Sequence, residues 1–114
     1  VAVMTASENV RVNGTGPWVR VMRASGALSP GLRGAGPYDL ILANILAGPL
    51  KRLAPGIRSL IRPGGRVILS GILRRQRAGV EAVYRSHGFL PEDRLMMGDW
   101  ATLTLRRVGS RPAR

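Results

Sequence analysis

The sequence predicts an α/β fold: a mostly parallel, doubly wound sheet closed by an antiparallel hairpin. Two apolar runs carry this reading, Leu40 to Ala43 and Val67 to Leu69, each continuous as in a strand covered on both faces. A helically periodic stretch lies between them. A third observation is the Gly98-Asp99 pair set between two strand-like runs, the signature of a hairpin turn.

Element by element, Val1 to Asn13 reads as a helix, with Val3, Ala6, Val10 and Asn13 on one stripe and Asn13-Gly14 as its stop. Pro17 to Met22 alternates and predicts a short strand, and Ala24 to Pro37 is a loop rich in Gly, Ser and Pro. Tyr38 to Ile45 is a buried strand. Pro49 to Ile61 is a helix, with Leu50, Leu53, Ile57, Leu60 and Ile61 on one side and Pro55 as a point of kinking or splitting. Pro63-Gly64-Gly65 predicts a turn, and Arg66 to Ser70 a second buried strand. Leu73 to His87 is an amphipathic helix that Gly88 closes, with Val80, Val83 and Tyr84 inward. Phe89 to Met97 and Trp100 to Arg107 form the final hairpin.

Composition narrows the function classes. The chain has 114 residues, room for one ordinary domain, and is 45% hydrophobic, enough for a packed core. It has no cysteine and only one histidine, His87, which excludes disulfides, thiolate metal sites and multi-histidine zinc clusters. The longest apolar runs are shorter than the ~20 residues of a membrane-spanning helix, and no signal-peptide order opens the sequence. A soluble cytoplasmic protein is the expectation.

The net charge of +12 raises nucleic-acid binding as an alternative function. The positive residues are nearly all arginine, however, and are scattered about once per element. Only Arg74, Arg75 and Arg77 cluster, and no aromatic residue interleaves with them. Such a cluster reads first as a solvated helix face.

Four stretches carry a family resemblance. Tyr38-Asp39-Leu40-Ile41-Leu42-Ala43-Asn44-Ile45-Leu46-Ala47-Gly48-Pro49-Leu50 resembles the strand-four signature of the ribosomal protein eleven methyltransferases, class I enzymes that use S-adenosyl-L-methionine. Pro63 to Leu73 matches the stretch that follows in that family. Gly98-Asp99-Trp100 resembles its closing hairpin, and Ala6 to Asn9 the helix after its ribose-binding strand. The resemblance implies a Rossmann-like methyltransferase sheet whose first two strands are missing. Residues 1–109 are then the C-terminal part of the catalytic domain, and 110–114 a disordered basic tail. The Gly-rich cofactor loop, the ribose-binding acid and a separate substrate-recognition domain are expected outside this sequence; the pairs Gly14-Thr15-Gly16 and Gly34-Ala35-Gly36 precede strands and read as turns. Weak or absent cofactor binding by the chain alone follows. So does self-association through a bare strand edge at Leu40 to Ile45.

Site candidates follow from chemistry and from the same resemblance. Asn44 ends a buried strand, where open α/β sheets present ligands, and its amide both donates and accepts. The resemblance makes it the cofactor-binding residue and a positioner of the incoming amine, with the carbonyls of Ile45 and Leu46 assisting. The competing reading is that Asn44 caps the following helix. No aromatic residue adjoins Asn44, which points to an aliphatic amine, a lysine side chain or α-amine of a large-subunit ribosomal protein, rather than a planar base. Gly48 and Pro49 shape the lip of the site or start the helix. Asp39, His87, the Glu92-Asp93 pair, Trp18, Trp100, Glu8 and Asn9 read as structural, and no metal site is expected.

Overall fold

The structure, a computed structural model, describes residues 2–5, 20–23 and 37–108. Its elements are β1 (Ala2–Thr5), β2 (Arg20–Arg23), β3 (Tyr38–Asn44), α1 (Ala47–Leu60), β4 (Ile61–Leu73), a 3-10 turn (Arg74–Gln76), α2 (Arg77–Ser86), β5 (Phe89–Met97) and β6 (Trp100–Arg107). The strands form one sheet in the order β2-β1-β3-β4-β6-β5. β1, β2, β3 and β4 run parallel, and β6 is antiparallel to both β4 and β5.

The predicted fold class is therefore observed, hairpin included. Several expectations are corrected. Ala2–Thr5 is a strand, not the start of a helix, and it lies between β2 and β3. Four residues hold barely one helical turn, too little for periodicity to decide; flanked by two parallel strands, this apolar run gains ladder hydrogen bonds on both sides. The edge of β3 predicted to be bare is thereby covered. The remainder of the predicted N-terminal helix, its Asn13-Gly14 stop, residues 17–19, the loop from Ala24 to Gly36, both Gly pairs, Glu8, Asn9, Trp18 and the tail 110–114 lie outside the described residues.

Helix α1 follows from spacing. Ala47, Leu50, Leu53, Ala54, Ile57 and Leu60 recur every three or four residues and are all buried. It begins two residues before the predicted start and includes Pro49 in its first turn, where the missing N–H costs nothing. It also runs unbroken through Pro55, which is exposed, so the Lys51 carbonyl left without a helix partner is on the solvent side.

β4 is longer than predicted. Ile61 already pairs with Tyr38, and the ladder resumes at Leu40 and Arg66. The Pro63-Gly64-Gly65 turn is thus a bulge within a strand, with Gly64 at φ +82°. A Cβ on Gly65 would stand 2.9 Å from the Arg62 carbonyl and 3.0 Å from that of Asp39, so only glycine fits beneath the bulge.

Both helices pack on the sheet and on each other. Val80, Tyr84, Phe89, Leu103, Leu69 and Ile41 are fully or almost fully buried in one core. Tyr84 joins the two helices by donating its hydroxyl to the Leu50 carbonyl at 2.8 Å, and its ring meets Phe89 edge-on at 5.5 Å. Burial raises the Tyr84 phenol well above its ordinary pKa. No helix among the described residues is long and apolar enough to cross a membrane.

Candidate functional site

Parallel strands deliver their carboxyl ends to one edge of the sheet. There Thr5, Asn44 and Ser70 stand in register on β1, β3 and β4. Asn44 closes β3, and its residue is exposed while its neighbours Ala43 and Ile45 are buried. The chain stays tied to β4 one residue further, since the Ile45 N–H donates to the Ser70 carbonyl at 3.3 Å.

Helix α1 then starts with Leu46 as its N-cap, and no side chain caps it. The capping reading of Asn44 is thereby excluded: the asparagine stands two residues ahead of the cap position. Its amide is therefore not consumed by the helix end. No acidic residue occupies the first turn of α1 either.

Gly71 shapes the other wall. It follows Ser70 at φ +84°, in a break of the β4–β6 ladder between Leu69 and Ile72. A Cβ there would stand 2.8 Å from Asn44 Oδ1 and 3.3 Å from the Ile45 carbonyl. The glycine lets the backbone of β4 approach the amide without a side chain between. Sequence reading did not assign Gly71 a role at the site; the available signal was a glycine directly after a buried strand, which marks a bulge or close approach.

Of the two backbone carbonyls proposed to assist, that of Leu46 accepts the Leu50 N–H at 3.0 Å, which commits one lone pair to the helix. The Leu46 side chain is 67% exposed at the same edge. Ile45 keeps its side chain in the core, with its carbonyl against Gly71.

Asp39, His87 and Glu92 are held away from this edge. Asp39 is near the opposite end of β3, roughly 17 Å along the strand, where its carboxylate pairs with Arg62 at 2.7 Å. His87 ends α2, its Nδ1 2.9 Å from the Val83 carbonyl. Glu92 pairs with Arg66 and Arg106, and among the described residues no group of acids and histidines is placed to hold a metal. Trp100 is 55% exposed and pairs with Met97 and with Leu73, which lies beyond Ser70 on β4, so it stands at the same edge of the sheet as Asn44, on β6. The arginine cluster is divided: Arg74 bonds the Gly98 carbonyl at 3.1 Å, Arg77 bonds Glu81, and Arg75 is exposed.

The Rossmann-like sheet closed by an antiparallel hairpin puts the chain in the methyltransferase-like fold class, and solved structures share it. The L11 methylase of Lactobacillus delbrueckii subsp. bulgaricus superposes with a TM-score of 0.66 at 30% identity, over 79% of this chain and 45% of that one. The Methanococcus jannaschii fibrillarin pre-rRNA processing protein shares the fold alone, with a TM-score of 0.63 at 12% identity over 81% of this chain and 46% of that one. The family is sharper still: residues 1–108 match the profile described as ribosomal protein L11 methyltransferase (PrmA), and the chain belongs to that family. It is 48% identical over 108 residues to the ribosomal protein L11 methyltransferase of Bradyrhizobium diazoefficiens, covering 95% of this chain and 37% of that relative. The Agrobacterium fabrum relative is 44% identical over 107 residues, 94% of this chain and 37% of that protein. The chain thus spans little more than a third of the length of these curated relatives.

Proposed function

We propose that residues 1–109 serve as the C-terminal part of the catalytic domain of an S-adenosyl-L-methionine-dependent protein methyltransferase acting on amino groups of a large-subunit ribosomal protein. The observation that carries the reading is the amide of Asn44, exposed at the strand ends, free of the helix cap, and set against the side-chain-free backbone of Gly71.

The described residues fit one wall of a cofactor site. An amide beside a glycine gap leaves room for a small ligand, and the lone pairs of Asn44 Oδ1 can face a group bearing positive charge. When bound, that cofactor supplies an activated methyl group on a good leaving group. The work left to the chain is positioning. Asn44 Oδ1 accepts a hydrogen bond from the substrate amine in its neutral form and aims the nitrogen lone pair, while its NH2 donates to the cofactor. The Ile45 carbonyl is a second acceptor, and that of Leu46 a third through its remaining lone pair. The exposed aliphatic side chain of Leu46 lines the approach, and with no aromatic residue adjoining Asn44 the wall suits a methylene chain better than a planar base.

The test uses a chimera in which this sequence replaces the matching stretch of the Bradyrhizobium relative, assayed for transfer of labelled methyl groups to large-subunit ribosomal protein eleven. The chimera is expected to be active, and Asn44→Ala to lower kcat/KM roughly 100-fold without unfolding it. A folded chimera that transfers no methyl group, or an Asn44→Ala chimera of undiminished activity, refutes the proposal.

A further inference from the structure

The tip of the β5–β6 hairpin, Met97-Gly98-Asp99-Trp100, joins an apolar surface to an acid. Leu95, Met97 and Trp100 are each more than half exposed. Met97 pairs with Trp100 across the hairpin and Leu95 lies two residues before Met97, so the three side chains share one face. It is the face turned away from the helices, because the residues that alternate with Trp100 on β6, namely Ala101, Leu103 and Leu105, are buried in the core. Asn44 is on this face as well. It follows buried Ala43, which is in register with buried Leu69 on β4, and Leu69 in turn pairs with Leu103.

The acid is Asp99. Among the described residues Asp39, Glu81 and Glu92 are held in ion pairs, and Asp93 accepts the Arg94 N–H. Asp99 alone of the described carboxylates has neither an ion pair nor a hydrogen bond at its side chain, in a chain with 18 Lys and Arg residues. Arg74 is close to it but is spent on backbone. Its N–H donates to the Asp99 carbonyl at 2.7 Å and its Nε to the Gly98 carbonyl at 3.1 Å. Those bonds pin the turn, so carboxylate, indole and thioether are presented from a fixed loop. Together they suit a cationic side chain: the carboxylate meets its charge, the indole face attracts an ammonium or guanidinium, and its methylenes lie on Met97.

We propose that this tip is a docking site for a lysine or arginine of the substrate protein, a second basic side chain distinct from the amine that is methylated. The proposal rests on the reading of the Asn44 edge as the place where that amine is received. Trp100 is on β6, two strands from β3, and pairs with Leu73, which lies three residues beyond Ser70, the partner of Asn44. Those steps set the two places roughly 13 Å apart, the span of about four residues of extended chain. A segment with a basic residue about four positions from the target amine therefore engages both at once. Charge decides the occupant. An apolar partner would cover Asp99 without supplying a counterion, and a second copy seated tip to tip would set two unpaired carboxylates side by side. The amide of Asn44 recognises an amine and nothing of its surroundings; the tip selects among amines by reading a neighbour.

The full chain, without cofactor, is titrated into a fluorescein-labelled extended peptide carrying two lysines about four residues apart, and into the same peptide with one lysine replaced by norleucine. Fluorescence anisotropy is expected to show the two-lysine peptide bound about 5-fold more tightly. Asp99→Asn and Trp100→Leu are each expected to weaken the two-lysine peptide by about 3- to 5-fold and the norleucine peptide by less than about 2-fold. Asp93→Asn removes equal charge from β5 and is expected to change either affinity by less than about 2-fold. Circular dichroism checks folding, and Asp99→Asn, at an exposed turn, keeps the test decisive if Trp100→Leu unfolds. Equal affinity of the unaltered chain for both peptides overturns the proposal, as does equal weakening of both by Asp99→Asn. Dimerisation in sedimentation runs that Trp100→Leu abolishes and the two-lysine peptide leaves intact also overturns it, because a second copy then covers the tip. In the chimera described above, Asp99→Asn is expected to raise KM for the two-lysine peptide about 3-fold with kcat unchanged. Binding needs no methyl transfer, so lost binding counts against the tip and lost transfer against the reading of Asn44.

Discussion

Gly71 is shaped by Asn44: a single added carbon on the glycine would come within 2.8 Å of the asparagine's amide oxygen. Gly71→Ala therefore carries two penalties, a left-handed backbone at φ +84° and the displacement of the amide. The backbone penalty is expected to lower unfolding free energy by about 1–2 kcal/mol in urea titrations. Gly64→Ala pays the same kind of penalty at φ +82°, but a Cβ there meets nothing. NMR should show the Asn44 side-chain amide shifted by Gly71→Ala and unmoved by Gly64→Ala.

Asn44→Ala separates a functional amide from a helix cap by stability alone. An N-cap asparagine costs about 1 kcal/mol on replacement by alanine. Because Leu46 occupies the cap and Asn44 is exposed, the variant is expected to melt within the narrow range of ordinary surface substitutions, about 0.5 kcal/mol. A loss of 1 kcal/mol or more, roughly the cap value, would restore the capping role.

Glu81 should make the protein acid-sensitive. It is almost fully buried on α2 and is held by Arg94 through two contacts of 2.6 and 2.9 Å and by Arg77 at 3.1 Å. The Arg94 hydrogen bonds are the largest cause lowering its pKa below the ordinary 4.5, against the opposing effect of burial. The stabilisation is thus complete above pH 4.5 and is lost as pH falls through the lower, folded-state value. Glu81→Gln is expected to flatten that part of the stability-against-pH curve in urea titrations.

Tyr84 acts at the other end of the scale. Its pKa is raised by burial, so its contribution is present below the ordinary value of 10.0 and is lost only as pH rises toward the folded-state value. Phenolate absorbance should therefore appear together with unfolding and not before it. Tyr84→Phe removes the hydroxyl's bond to Leu50 and is expected to cost about 1 kcal/mol by thermal or urea denaturation.

What the sequence disclosed depended on how local the cause was. The β5–β6 hairpin was legible to the residue because Gly98 and Asp99 impose the turn by themselves, with Gly98 at φ +59°. β3 was legible because an apolar run of that length has little alternative in an α/β chain. Ala2–Thr5 was not, since its conformation is set by neighbours on β2 and β3 rather than by its own pattern. Pro63 to Gly65 looked like a turn because backbone chemistry alone does not reveal that Ile61 pairs with Tyr38 beforehand. At the site, Asn44 could be found from its place at a strand end. The gap at Gly71 required the register of β3 against β4, a relation between distant segments.

The outermost strand has a consequence for how copies of the molecule meet in concentrated solution. β5 lies at the sheet's margin, and a naked margin is a template for fibril growth. This one contains Pro91, a slip in register between Pro91 and Asp93, and the consecutive charges Glu92, Asp93 and Arg94. Each interrupts the even row of donors and acceptors that an incoming chain would have to match, so colloidal behaviour is guarded at this border by the same residues that anchor Arg66 and Glu81.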